Sequence, residues 1–181
     1  MATYGFSDPW MAKLDEEAGT YSDGFKCGEA VSGTFTPQYQ STTLSGDDKV
    51  VESVDVMTSL DVSLNVTTIP KVANTVIFGH QENSEGEFEY KTTDVANPVG
   101  MGFFESEMIH GVSKYIATFL PKVKYKEGAK NCQTKGENLS FATPTLTGTG
   151  MADANDKYQI TKVFDTKEEA VAWIKGKLNI Q

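Results

Sequence analysis

Residues 59–66, SLDVSLNV, decide the fold class, because apolar and polar side chains alternate there without a break. Successive side chains of a β-strand point to opposite faces, so each half of this alternation shares one face. One face carries Leu60, Val62, Leu64 and Val66. The other carries Ser59, Asp61, Ser63 and Asn65. The stretch therefore predicts a strand with one buried face and one polar face.

Further strands are predicted on both sides of this one, in a chain with 20 Thr residues. Residues 30–36 alternate weakly, and residues 112–126 read as a long strand in which Pro121 requires an edge or a bulge. Residues 138–151 form another strand, interrupted by Pro144. In the second half of the long strand, charged and apolar residues alternate: Lys122, Val123, Lys124, Tyr125, Lys126. Shorter candidates are residues 88–90, 99–105 and 157–164.

Two helices are expected. Residues 67–79 have Thr67 or Thr68 as a cap, a proline in the first turn and Gly79 at the end. Residues 165–178 have Asp165 or Thr166 as a cap, acids in the first turn and lysines in the last. The order of elements predicts a single domain over residues 1–181, an antiparallel sheet with one or two packed helices.

Residues 38–57, QYQSTTLSGDDKVVESVDVM, are polar and contain turn chemistry at Gly46, Asp47 and Asp48. We expect a long inter-strand loop here. A loop of this length inside a compact domain is usually functional or disordered.

The charge of the chain argues against nucleic-acid recognition. The formal charge is −9, and all 16 basic residues are Lys. Reading of guanine and firm phosphate binding usually depend on Arg, and a negative chain does not attract phosphates. Residues 1–100 hold 16 acids and 5 Lys, a charge of −11, whereas residues 101–181 hold 9 acids and 11 Lys, a charge of +2. The two halves of the chain therefore carry opposite net charges, and we expect an acidic surface of one copy to attract a Lys-bearing surface of another.

The sequence holds no recognisable catalytic constellation, and we expect no enzyme activity, no cofactor and no metal site. His80 and His110 are interpreted as structural or solvated residues. Cys27 and Cys132 have no metal spacing and are interpreted as thiols rather than a bridge. The N-terminus lacks a signal-peptide pattern and no apolar run could span a bilayer, so we expect synthesis in the cytoplasm and no membrane partner.

Four segments together resemble the major tail proteins of long-tailed bacteriophages, of the phi13 or TP901-1 type. The first is residues 4–21, YGFSDPWMAKLDEEAGTY. The second is residues 44–53, LSGDDKVVES. The third is SLDVSLNV followed by IPKVANTVIFGH, residues 69–80. The last and most specific is residues 122–151, where TKGE is followed by TPTLTG.

The resemblance implies a tail tube subunit. Six copies would form a ring, each adding about four strands to a shared barrel, and rings would stack into a hollow tube. About 24 strands correspond to a backbone diameter of roughly 48 Å. The implied partners are the chain itself, a tape measure protein in the bore, and tail terminator and distal tail proteins at the ends. DNA would cross the lumen without specific binding. The implied location is the virion, after a stay in the host cytoplasm.

On this hypothesis the lumen-facing residues are Ser59, Asp61, Ser63 and Asn65. Their hydroxyl, amide and carboxylate groups do not bind phosphates tightly, as a lumen that DNA crosses requires. The candidate inter-ring arm lies in the predicted loop and comprises Thr43, Leu44, Asp47, Asp48, Lys49, Val50, Val51 and Glu52. Its acids would pair with Lys-rich residues 122–135 of a neighbour.

Two alternatives stay open. One is the tube protein of a contractile injection machine, which the sequence does not separate from a non-contractile tail. The other is a monomeric β-sandwich binding module for carbohydrate or adhesion. That module requires clustered exposed aromatic residues, and Trp10 and Trp173 are far apart in sequence.

Overall fold

The computed structural model of the protein describes residues 2–46, 49–109, 111–128 and 143–181. These residues are mainly β, with two helices. The strands are β1 (Ala2–Asp15), β2 (Thr20–Lys26), β3 (Ala30–Gly46), β4 (Lys49–Val66), β5 (Gln81–Glu82), β6 (Phe88–Glu89), β7 (Pro98–Ile109), β8 (Val112–Lys126), β9 (Thr145–Met151) and β10 (Ile160–Phe164). The helices are α1 (Val72–Val76) and α2 (Lys167–Lys177).

Eight strands form one antiparallel sheet in the order β2-β1-β7-β8-β9-β4-β3, and β10 pairs with β8 beside this path. Strands β5 and β6 form a separate small hairpin. The sheet folds back on itself, because Phe35 of β3 stacks on Phe103 of β7 with ring centroids 4.5 Å apart. Phe6 of β1 packs edge-on against the same Phe103 ring at 5.0 Å. Strands distant in the sheet order thus share one core.

Strand β8 changes its pairing partner partway along its length. Its first half pairs with β10 over Tyr115 to Phe119, and its last five residues pair with β9. Pro121 lies at the change of partner, next to a register shift between β8 and β7. Proline has no N–H for a ladder hydrogen bond, so it suits this irregular position. Of the two predicted possibilities for Pro121, an edge or a bulge, the register shift corresponds to the bulge.

Two apolar layers hold the sheet. The inner core joins β4 to β1, β7, β8, β9 and α1, and its members include Leu60, Leu64 and Met101. The other layer lies between the opposite face of β1, β7 and β8 and helix α2, around Ile174. Gly102 makes that approach possible, because a Cβ there would lie only 2.4 Å from Cγ2 of Ile174.

The first predicted helix is much shorter than expected. Within residues 67–79 only Val72–Val76 is helical, and Lys71, not Thr67 or Thr68, is its N-cap. The backbone of Thr67 instead donates to Glu29 O, and its hydroxyl accepts from Glu29 N–H. These bonds continue the β3–β4 pairing, so the helix begins only at Val72. The C-terminal helix is confirmed: Thr166 is its N-cap and accepts from Glu169 N–H.

The prediction of a loop over residues 38–57 was wrong, since the described residues of this range belong to β3 and β4. The pairing runs from Gln38–Ser59 to Gly46–Lys49, interrupted only by bulges. Thr, Val and Tyr residues, which are enriched in strands, recur along this segment, but its polar composition concealed them. Asp47 and Asp48 lie outside the described residues.

Strand β9 begins at Thr145, later than predicted, and neither Thr143 nor Pro144 belongs to a strand. Proline again marks the limit of regular pairing, since it cannot donate to a ladder. Residues 138–142 of that prediction lie outside the described residues, as do His110 and Cys132. Cys27 is a buried free thiol, and burial raises its pKa to about 12.

Candidate functional site

The polar side of β4 is where the alternation predicted it. Leu60, Val62, Leu64 and Val66 are all at most 2% exposed. Asp61 is exposed, and the polar residues on either side of it are half-buried. The strand therefore has one core face and one accessible polar face.

Register extends this polar side across four neighbouring strands. Residues directly opposite one another in an antiparallel pair share a face. One row across the sheet reads Thr36, Asp61, Thr149 and Lys124, and the next reads Thr34, Ser63, Thr147 and Lys126. We call this surface the polar face: Ser32, Thr34, Thr36, Gln38, Ser59, Asp61, Ser63, Asn65, Thr145, Thr147, Thr149, Lys122, Lys124 and Lys126. All of these residues are exposed or half-buried.

Hydrogen bonds tie the polar face together. Gln38 Nε2 donates to Asp61 Oδ2 at 2.7 Å. Asn65 Nδ2 donates to the Thr145 hydroxyl at 3.2 Å. A shallow groove of about 300 Å³ crosses the face beside Asp61, Ser63 and Lys126. The surface offers hydroxyls and a few charges, and these amide groups bond to neighbours on the same face.

The lysines were not included in the sequence-based lumen row, although their alternation was visible. Lys122 pairs with Glu16, which lowers the pKa of that carboxyl, chiefly through the hydrogen bond. Among the described residues, Lys124 and Lys126 have no carboxylate within salt-bridge distance. The polar face is therefore not anionic overall. Only the strand register could show that β8 and β4 present the same side.

Beyond the polar face, β3 and β4 continue as a two-stranded hairpin. We call residues 39–57 the arm. Its pairs include Thr43–Ser53, Leu44–Glu52, Ser45–Val50 and Gly46–Lys49, so most candidate inter-ring residues do lie together at its end. The strand from Tyr39 to Gly46 extends about 26 Å at roughly 3.3 Å per residue. The arm is a projecting ribbon, not a loop.

A bulge changes the chemistry of the ribbon where the arm begins. Gln38 pairs with Ser59 but Tyr39 pairs with Met57, so Thr58 has no residue opposite it. This extra residue inverts the alternation of β4, and Val54 and Val56 fall on the same side as Asp61. Tyr39, Leu44, Val54 and Val56 are 52–62% exposed. These two valines were not predicted to share a face with Asp61, because the bulge puts them out of phase with the alternation of residues 59–66.

The two tryptophans do not form an exposed aromatic platform. Both are half-buried beside α2. The Lys175 ammonium lies 4.7 Å from the centroid of the Trp10 ring, and Trp173 packs against Phe164. They serve to fix α2 on the sheet.

His80 lies apart from the polar face and is buried, with Asp94 and Glu127 on its two ring nitrogens. The structural interpretation of this residue fits that burial. The two carboxylates come from distant parts of the chain and were not foreseen.

Within the described ranges, no group of three or more His, Cys, Asp or Glu residues is placed to hold a metal ion. No helix among these residues has the length and hydropathy needed to cross a membrane.

Comparison with known proteins adds no family. No protein-family model matches the chain, and no curated protein matches it significantly.

Proposed function

We propose that this chain is a structural subunit of a phage tail tube, in which six copies form a ring and the rings stack. The observation that carries the proposal is the polar face. The end of β8, β9 and β4 bury one side in the core, and β3 packs Phe35 against it. All four strands leave the other side accessible. About four strands per copy is the contribution that a shared barrel of about 24 strands requires.

The edge of this sheet supports the same function. Strand β3 is the last in the sheet order, so it has a row of backbone N–H and C=O groups without a strand partner among the described residues. A long free edge is a site for pairing with another chain. In the proposed ring, the β3 edge of one copy pairs with a strand of the next copy, which removes the edge.

In the assembled tube the polar face lines the lumen. Hydroxyl groups dominate it, and Asp61 is already bonded to Gln38. DNA would cross such a wall with weak contacts, and a tape measure protein would occupy it before ejection. Lys124 and Lys126 add positive charges to the lumen wall beside the negative charge of Asp61. The transit of DNA therefore depends on weak, salt-sensitive contacts.

The arm supplies contact between rings. A heterologous contact, in which one surface meets a different surface of the next copy, propagates without closing. The exposed Leu44, Val54 and Val56 provide apolar area for it, and Glu52 provides charge for a lysine of the neighbour. Tail terminator and distal tail proteins would cover the two ends of the stack.

Self-assembly of the purified chain tests the proposal. Sedimentation velocity and negative-stain electron microscopy over increasing concentration should show rings or tubes of uniform width. A carbohydrate or adhesion module would stay monomeric at every concentration and salt, and that result would refute the tube.

A further inference from the structure

His80 joins three separate segments of the chain. It follows α1, it is 5% exposed, and its Nδ1 lies 2.7 Å from Oδ2 of Asp94, in the segment before β7. Its Nε2 contacts Oε1 of Glu127, immediately after β8. The Tyr90 ring packs on the imidazole with centroids 4.3 Å apart. The imidazole is thus held between two carboxylates and against the Tyr90 ring, with the Phe78 ring 5.9 Å from it.

This geometry demands a charged imidazole. A neutral imidazole has one N–H donor, whereas both ring nitrogens donate in the imidazolium. Ionised carboxylates only accept. Both contacts can therefore be hydrogen bonds only while His80 is protonated, and loss of the proton leaves one carboxylate facing a nitrogen lone pair.

The charged groups around the ring favour the proton. Burial opposes the charge, but the hydrogen bonds to Asp94 and Glu127 outweigh it and raise the pKa of His80. The bond from His80, helped by the Lys91 N–H, lowers the pKa of Asp94. Lys91 itself pairs with Glu89 at 2.9 Å and is exposed. These are the charged groups that the described elements bring to the ring.

The two carboxylates are not held equally well. The Asp94 segment has a second anchor, because Asn97 N–H donates to Ile77 O at 2.9 Å and its side chain donates to Thr75 O and Val76 O. The Glu127 side chain is 51% exposed. When the clamp weakens, Glu127 is therefore the group that leaves.

We propose that His80 is a protonation-dependent clamp that fastens the end of β8 to the segment before β7 through Glu127 and Asp94. Deprotonation releases Glu127. Glu127 lines a cavity of about 590 Å³ together with Phe78, Tyr90 and Leu146. Its release therefore opens the side of the cavity that Glu127 formed and exposes Nε2 of His80. The clamp belongs to the single chain and does not depend on tube assembly.

The sign of the pH dependence follows from the raised pKa. The contribution of His80 to stability is complete below its unfolded pKa, about 6.5, and is lost as the pH rises through its folded pKa. The contribution of Asp94 is lost at the acid end, as the pH falls through its lowered folded pKa. The clamp is tightest between these two titrations.

An NMR titration of the full chain, below its assembly concentration, tests the clamp. The imidazole signals of His80 are assigned with His110→Asn, since the chain has two histidines. We expect His80 to titrate above about 6.5 in the unmodified chain and at a lower pH in Glu127→Gln, which keeps the size of the side chain and removes its charge. Backbone amides of residues 125–128 should exchange faster with solvent above the His80 titration than below it, after correction for the intrinsic pH dependence of exchange.

Asp165→Asn is the matched control, because it removes an exposed carboxylate of another ion pair, with Lys114. It should leave the His80 titration unchanged. His80→Asn should abolish the change in amide exchange; if that variant does not fold, Glu127→Gln gives the same readout without altering the buried ring. A His80 titration at or below about 6.5, or one that Glu127→Gln does not lower, would overturn the clamp.

Discussion

The two halves of the β3–β4 hairpin use the same backbone pairing for different purposes. In the body half, Leu60 to Val66 places every second side chain in the core. In the arm, Val54 and Val56 remain more than half exposed. The body half is held by burial, which contributes about 25 cal/mol per Å² of apolar surface. The arm is held by its ladder and by cross-strand pairs, each worth about 0.2–1 kcal/mol.

This contrast separates the residues that fold the chain from those free to bind. The described side chains of the arm, apart from the half-buried Met57, are exposed, so the apolar ones among them add little stability to the chain. Exposed apolar ribbons invite pairing and aggregation. Under the proposed function, Leu44, Val54 and Val56 of the arm become buried against another copy. Substitutions in the two halves should separate stability from assembly.

The largest loss of stability is expected in the body half. Leu64→Ala removes a fully buried side chain and should lower the free energy of unfolding by about 3 kcal/mol. Leu44→Ala is the matched control in the arm and should change it by less than about 0.5 kcal/mol. Denaturant unfolding of both variants measures the difference. Equal losses would mean that Leu44 is buried within its own chain.

Shortening the arm should abolish assembly at small cost to the fold. Thr42 and Val54 lie directly opposite each other, so an Asn-Gly turn in place of residues 43–53 closes the hairpin in register. We expect stability within about 1 kcal/mol of the unmodified chain, because none of the described core residues lies between positions 43 and 53. Sedimentation should show monomers or single rings. Normal tubes from this variant would disprove the role of the arm.

The sequence predicted the elements whose burial follows a simple period. Strand β4 near Asp61, the full extent of β8 and the cap of α2 at Thr166 follow from alternation, a proline and a helix-capping pattern. The arm was missed because its described side chains, apart from Met57, are exposed on both faces and the bulge at Thr58 breaks the alternation. Its polar composition resembles that of a loop.

The candidate site was predicted only in part for a related reason. One strand revealed its own polar row, but the rows across β3, β4, β9 and β8 depend on register between distant segments. Nothing local in the sequence assigns Lys124 to the row of Asp61. The neighbours of His80 likewise come from segments 14 and 47 residues away in the chain.

A milder change in the arm tests whether its apolar surface is what binds. Replacing both Val54 and Val56 by Thr keeps the branched shape that suits a strand. We expect the free energy of unfolding to change by less than about 0.5 kcal/mol. The concentration needed for assembly should rise about tenfold or more, because less apolar surface is buried at the contact. Unchanged assembly would place the contact elsewhere on the arm.

The smallest effect is expected on the polar face. Asp61→Asn keeps an oxygen that can accept from Gln38 and removes an exposed charge. Stability should change by less than about 0.5 kcal/mol and assembly should persist. Thermal unfolding and electron microscopy check both. A loss above about 1 kcal/mol would show that Asp61 has a structural role in the folded chain.

The central claim, that copies of this chain build a hollow tube around the polar face, is tested most directly by a cryo-electron microscopy reconstruction of particles assembled from the purified chain. The account predicts six-fold rings whose bore is lined by Asp61, Ser63, Thr147 and Lys124, with the arm against the next ring. Particles in which Asp61 faces outward or is buried between copies would contradict it, and so would a chain that remains monomeric at high concentration.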